Sequence, residues 1–252
     1  MNIVARTDIG QIRLINQDCV KVVQKDDHEA LVILCDGMGG HKAGEIASAL
    51  ACDVMSQMYL DMEPMDDEVS IRIWLYQSIL NAHHRIYKEA SLNEDYEGMG
   101  TTVVAALIKD GYVYISHVGD SRAYLFNGEL EQLTNDDTLV NALLHAGTIS
   151  KEEALSHPKK NVLLQAVGVS DDVHPSFMFQ QLKGCLLLCS DGLYNSLSHQ
   201  RMVELFQQSN DLNTLCDQLI QEANDNGGKD NIGIVLVNEG GLNRDSNEEI
   251  DC

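Results

Sequence analysis

Between Thr101 and Leu133 the chain runs through strand-forming stretches separated by short turn signals. Thr101–Ile108, Tyr112–Val118 and Arg122–Phe126 are rich in β-branched and aromatic residues, the types that fit a pleated, half-buried surface. Lys109-Asp110-Gly111 and Asn127-Gly128 supply hairpin turns before Tyr112 and before Glu129–Leu133. This spacing predicts an antiparallel meander.

Strand-like pieces also occur at Asn2–Arg6, Cys19–Gln24, Ala30–Cys35, Pro175–Gln180, Cys185–Cys189 and Asn231–Val237. Apolar residues recur at helical spacing in Ser48–Tyr59 and in Glu68–Ala90, where Ile71, Trp74, Leu75, Ile79, Ala82 and Ile86 form one stripe. His83-His84 on that helix reads as solvent-facing. His199–Gln208 and Leu212–Asn224 read as two more helices, and Asp136–Ala166 as short helices and loops. The long helices are grouped rather than alternating with every strand. That order predicts an α+β fold with antiparallel sheets and argues against a doubly wound parallel sheet. No repeat or Pro/Gly/Ser linker divides the chain, so residues 1–238 are expected to form one domain. Residues 239–252 are polar and acidic and are expected to be a frayed tail.

The 252 residues carry a formal net charge of −22. So acidic a surface repels nucleic-acid backbones and anionic lipids, and neither is an expected partner. Seven cysteines are present, an odd number without a CxxC pair, which suggests neither a disulfide framework nor a zinc ribbon. Cys35 and Cys189 sit inside apolar runs and read as small core residues. No run of about 18 apolar residues spans a bilayer, and no signal peptide opens the chain. The expected setting is the reducing cytoplasm.

Four aspartates share a position. Asp36 follows Leu31–Cys35 and precedes Gly37; Asp120 ends Val113–Gly119; Asp191 follows Leu186–Ser190 and precedes Gly192; Asp230 precedes Asn231–Val235. For each alone, a turn is the ordinary explanation, because Asp caps turns and Gly tolerates positive φ. Together they would gather carboxylates at one sheet edge if the strand ends converge, which the sequence by itself does not decide. Clustered carboxylates require cations, and hard oxygen ligands select Mg²⁺ or Mn²⁺ over zinc. The glycines of Asp36-Gly37-Met38-Gly39-Gly40-His41 fit neither a Walker loop nor a dinucleotide fingerprint.

A series of short motifs now appears in a fixed order: Thr7-Asp8-Ile9-Gly10 with Arg13 and Asn16-Gln17-Asp18; Asp36–His41 with Gly44-Glu45; Gly98-Met99-Gly100-Thr101-Thr102; Val118-Gly119-Asp120-Ser121-Arg122; Ser190-Asp191-Gly192-Leu193; and Asp230-Asn231. Each is weak alone, but the ordered set over residues 1–238 resembles the bacterial PP2C-type (PPM family) serine/threonine protein phosphatases. The resemblance implies an αββα sandwich of two packed antiparallel sheets flanked by helices. It implies phosphoserine and phosphothreonine hydrolysis by a metal-activated water at a pair of Mn²⁺ or Mg²⁺ ions. By motif match the ligands would be Asp36, the Gly37 carbonyl, Asp191 and Asp230, with a third ion on Asp120 and Asp191. Arg13 would hold the phosphate, a surface salt bridge being the plainer alternative. Asp18 and Asn231 would act one step behind the ligands. Residues 136–168 correspond to a variable flap, where Asn161 falls near a third-metal position.

Two departures stand out. Met38 occupies a place where eukaryotic relatives often carry a histidine, and a thioether cannot donate a proton; His41 is a weaker substitute. Gln17 stands where many relatives have Glu. The expected substrates are phosphoproteins, including a Ser/Thr protein kinase, and the expected state is a monomer. A catalytically silent phosphoprotein-binding domain and a nucleotide phosphatase remain as alternatives.

Overall fold

The computed structural model describes residues 1–40, 43–155, 157–169 and 172–238. His41 and the acidic segment 239–252 lie outside them. Two antiparallel sheets form the centre. The first orders its strands as β1 (Asn2–Asp8), β11 (Ile232–Asn238), β10 (Cys185–Cys189), β7 (Arg122–Phe126) and β8 (Leu130–Gln132). The second runs β2 (Asp18–Gln24), β3 (Glu29–Met38), β5 (Val103–Lys109), β6 (Tyr112–Val118) and β9 (Ser176–Gln181), with the short β4 (Gly100–Thr101) added to the end of β3.

The unbroken apolar runs follow from burial on both faces, as expected for a strand covered on each side. In β3, Val32 and Leu34 face the core between the sheets, whereas Leu31, Ile33 and Cys35 face the helical layer of α1 (Ala43–Leu60) and α2 (Glu68–Leu92). In β10, Leu186 and Leu188 point between the sheets, and Cys185, Leu187 and Cys189 point toward α6 (His199–Gln208) and α7 (Leu212–Asp225). The layers are therefore helix, sheet, sheet, helix. Each buried large aliphatic contributes about 1.5–3 kcal/mol, so three such interlayer cores hold the strand ends in place. Cys35 and Cys189 are fully buried members of these cores.

Three expectations need correction. The meander from Thr101 to Leu133 is split: β5 and β6 pair in the second sheet, whereas β7 pairs with β10 and β8 in the first. The chain changes sheets at Gly119-Asp120-Ser121. Gly119 has φ +101°, and a Cβ there would lie 2.7 Å from Thr102 Cγ2, so both the backbone and the space require glycine. Asp36 does not end its strand. β3 continues to Met38 because Gly37 and Met38 pair with Thr101 and Gly100. His83 is buried while His84 is exposed; His83 Nδ1 accepts from the Gly168 N–H at 3.0 Å. Its charge pattern resembles that of a solvated helix face, but Gly168 returns over α2 and covers it.

The segment 136–168 contains α3 (Leu139–His145) and α4 (Lys151–Leu155). It is clipped to the sandwich at its base, where Asp137 N donates to Gly119 O and Asp137 Oδ2 accepts from Gly119 N, each at 2.9 Å. Among the described residues no helix is long and apolar enough to cross a membrane.

Candidate metal centre

All the singled-out aspartates lie at one end of the sandwich. Asp18 and Asp36 are directly opposite one another in the β2–β3 ladder. Like charges so placed repel, and the charge of Asp18 is, after burial, the largest influence raising the pKa of Asp36. The other sheet is tied in by Ser190, the residue before the single-turn α5 (Asp191–Tyr194). Its hydroxyl donates to Asp18 Oδ2 at 2.6 Å and accepts from Gly233 N at 2.8 Å. Asp191 opens α5, where the partial positive charge of the helix start faces it. Asp230 precedes β11, and its Oδ1 accepts from Asn231 N at 2.9 Å. Asp120 lies on the sheet-to-sheet crossing, and its carbonyl accepts from the Tyr194 hydroxyl at 3.1 Å.

The backbone at Asp36 is fixed on all sides. Its N–H donates to Thr102 Oγ1 and its carbonyl accepts from Thr102 N and Thr101 Oγ1, at 2.9–3.0 Å. Thr102 in turn bonds Ser121 through their hydroxyls at 2.7 Å, joining the Asp36 strand to the Asp120 crossing. Gly37 is wedged against the start of α1: a Cβ would collide with Gly44 O and lie 2.7 Å from Gln17 O. The Gln17 side chain lies against Gly44.

Electrostatically the cleft is frustrated. Burial, and then the charges of Asp18, Asp191, Asp120 and Asp230, hold Asp36 well above the usual carboxylate range. Burial raises Asp18 to about 7, partly offset by the Ser190 hydrogen bond, with Asp230 raising it further. Burial and then Asp120 and Asp230 raise Asp191 to about 7. Burial and then Asp136 raise Asp120 to about 6. Asp18 Oδ1 is buried without a hydrogen-bond partner. Among the described residues no three His, Cys, Asp or Glu side chains are already drawn together tightly enough to hold an ion. Carboxylates that repel each other settle apart, and cations reverse that balance. A hard divalent ion suits both the all-oxygen donor set and the unpartnered buried oxygen.

Arg13 stands at the rim. Its Nη2 donates to Asp230 Oδ2 at 2.7 Å with half of the side chain exposed, and the charges of Asp191 and Asp36 add to Asp230 in raising its pKa. Asn231 acts by a route the sequence did not suggest. Its Nδ2 donates to the carbonyls of Ile9 at 2.9 Å and Ile15 at 3.1 Å, and its Oδ1 accepts from Gln17 N at 2.8 Å. It anchors the loop that carries Arg13. A cavity of about 300 Å³ is lined by Asp120, Arg122, Asp136, Lys160, Asn161 and Tyr194, so Asn161 and Asp120 line the same cavity. Ser190 and Tyr194 were not singled out from the sequence; the only signal was their place around the Ser190–Leu193 motif.

Comparison with known proteins settles the family. The profile described as Protein phosphatase 2C matches residues 11–229. The chain belongs to the protein phosphatase 2C family. It is 42% identical over 235 residues to the serine/threonine phosphatase stp of Listeria monocytogenes, covering 92% of this chain and 93% of that one. The Streptococcus agalactiae serine/threonine phosphatase superposes with a TM-score of 0.88 at 38% identity, covering 93% of this chain and 98% of its own. The catalytic domain of the phosphatase PstP in complex with two manganese ions gives 0.80 at 34% identity, covering 93% and 96%. The two-sheet fold of this PP2C-family chain is that of its bacterial relatives.

Proposed function

We propose that this PP2C-type serine/threonine phosphatase hydrolyses phosphoserine and phosphothreonine in proteins at two divalent ions, Mn²⁺ or Mg²⁺. Asp36, the Gly37 carbonyl, Asp191 and Asp230 would hold them, and Asp120 with Asp191 would hold a third. Such ions activate water at neutral pH and neutralise charge on the transferring phosphoryl group. The observation that carries the reading is the gathering of five buried or half-buried aspartates from both sheets around one cleft, where burial first and neighbouring carboxylates second raise the pKa of Asp36, Asp18, Asp191 and Asp120. The two manganese ions of the PstP catalytic domain support it.

The chain's own groups have separate tasks. Arg13 spends one N–H on Asp230, and its planar fork has further donors for a phosphoryl oxygen. Asp18, fixed through Oδ2 by Ser190, offers Oδ1 to a water in the cleft. Asn231 keeps Arg13 in register with Asp230 through the loop carbonyls. Met38 lies at the end of β3 and has no proton to give, so leaving-group protonation is assigned to solvent.

The test uses protein stripped by chelation and assayed on a phosphothreonine peptide. Activity is expected only after Mn²⁺ or Mg²⁺ is restored. Asp36→Asn and Asp191→Asn are expected to lose roughly 10²–10³-fold in kcat, since metal stabilisation of the transition state is worth several kcal/mol and each 1.4 kcal/mol is tenfold. Asp120→Asn is expected to lower turnover while two ions remain bound, as counted by elemental analysis. Turnover without metal, or full activity of Asp36→Asn, sinks the reading.

A further inference from the structure

The loop that carries Arg13 presents an aliphatic side chain to solvent on each side of it. Ile12 is 66% exposed and Leu14 94%. Single exposed aliphatics are ordinary on protein surfaces. These two are the sequence neighbours of Arg13, whose guanidinium stands at the rim of the cleft, and their loop is held by four hydrogen bonds. Asn231 Nδ2 grips the carbonyls of Ile9 and Ile15 near its two ends. Gly228 O accepts from Gln11 N at 2.8 Å and Ile12 N at 3.2 Å near its middle. The anchors belong to the same segment that carries Asp230, so the position of Ile12 and Leu14 is tied to that of the site. A preorganised apolar surface loses little conformational entropy when it is covered.

We propose that Ile12 and Leu14 are a specificity surface that takes apolar side chains of the substrate immediately next to the phosphorylated serine or threonine. The proposal rests on the phosphatase reading above and names its substrate class. Consecutive Cα atoms are about 3.8 Å apart in any extended peptide. A peptide whose phosphoryl group is held by Arg13 passes over this loop, so on the proposal its residues next to the phosphorylated one meet the exposed side chains one step either side of Arg13. Those residues offer no hydrogen bond, only apolar area, and its removal from water favours the complex. Acidic flanks are repelled by the cleft carboxylates and the net charge of −22. Basic flanks are attracted by the same field but find no polar partner on Ile12 or Leu14.

The test compares the wild-type protein with the double variant Ile12→Ser/Leu14→Ser, both with Mn²⁺. The substrates are p-nitrophenyl phosphate and two phosphothreonine peptides that differ only in carrying Leu or Ser on both sides of the phosphothreonine. The wild type is expected to prefer the Leu-flanked peptide by about tenfold in kcat/KM, the scale of one small apolar contact. The double variant is expected to lose that preference while its hydrolysis of p-nitrophenyl phosphate is unchanged, which also reports that it is folded. A wild type that treats the two peptides alike overturns the proposal, as does a variant that keeps the preference. A parallel loss on all three substrates also overturns it, because the loop would then be supporting the cleft rather than reading the substrate. A wild type inactive on all three removes the phosphatase reading, and this proposal with it; activity without preference removes this proposal alone.

Discussion

The Ser190 hydroxyl holds Asp18 of one sheet and Gly233 of the other at once. It is fully buried, so no water can replace either bond without rearrangement. Ser190→Ala would leave a buried carboxyl oxygen without its donor and a buried N–H without its acceptor. The expected cost is about 1–3 kcal/mol of stability, read from urea denaturation. A fall in kcat of roughly 10–100-fold is expected as well, the usual effect of losing a group that orients the residues around a metal. Ser190→Thr keeps the hydroxyl and is expected to recover most of both. Retention of wild-type stability by Ser190→Ala would show that the inter-sheet bond is dispensable. At this scale the five aspartates are not equivalent. Asp18 and Asp36 belong to one ladder, Asp191 and Asp230 lie beside the ends of two strands of the other sheet, and Asp120 lies on the chain between the sheets.

Among the elements, the crossing at Gly119–Ser121 governs how those carboxylates meet. Gly119→Ala places a side chain in a positive-φ conformation and pushes a Cβ into Thr102, whose hydroxyl fixes the Asp36 N–H. Backbone strain of this kind costs of order 1–3 kcal/mol. Both stability and turnover are therefore expected to fall, in denaturation and in peptide hydrolysis; an unchanged kcat would show that the crossing does not set the position of Asp36 or Asp120. The same crossing marks where sequence reading stops. The strands and the glycine turns were legible because composition reports them directly, and β6 and β7 were placed residue for residue. Pairing was not legible: nothing in Val118–Arg122 distinguishes a strand that turns back from one that passes to another sheet. Burial of both faces in β3 and β10 was readable from unbroken apolar runs, whereas the early start of α1 at Ala43 was hidden by Gly44, which suggests a turn. The motif order pointed to the residues of the cleft. It gave no hint that Asn231 works through the carbonyls of Ile9 and Ile15, because backbone acceptors leave no trace in side-chain identity.

For the molecule as a whole, the cleft sets how stability varies with pH. Asp18 and Asp191 titrate near 7 in the folded protein and Asp120 near 6, all above an ordinary carboxyl group. The folded state thus binds more protons than the unfolded chain between about pH 4 and 7. Their contribution to stability is fully present below that window and is lost as pH rises through it. The metal-free protein is expected to melt at a lower temperature at pH 8 than at pH 5, with Mn²⁺ at pH 8 reversing the loss. A chelated protein whose melting temperature rises across that range would contradict the sign. Sheet order has another consequence, for how the protein is made. β11 lies between β1 and β10, although among the described strands it is the last in sequence and β1 the first. Until Ile232–Asn238 docks, β1 has no neighbour among the described strands of its sheet, the Arg13 loop lacks its bonds to Gly228 and Asn231, and Asp230 is not held beside the cleft. The pairing of an early strand with a late one thus ties the assembly of the cleft to the docking of β11: on the proposed site, a chain that has not reached residue 238 is expected to be inactive on phosphoproteins.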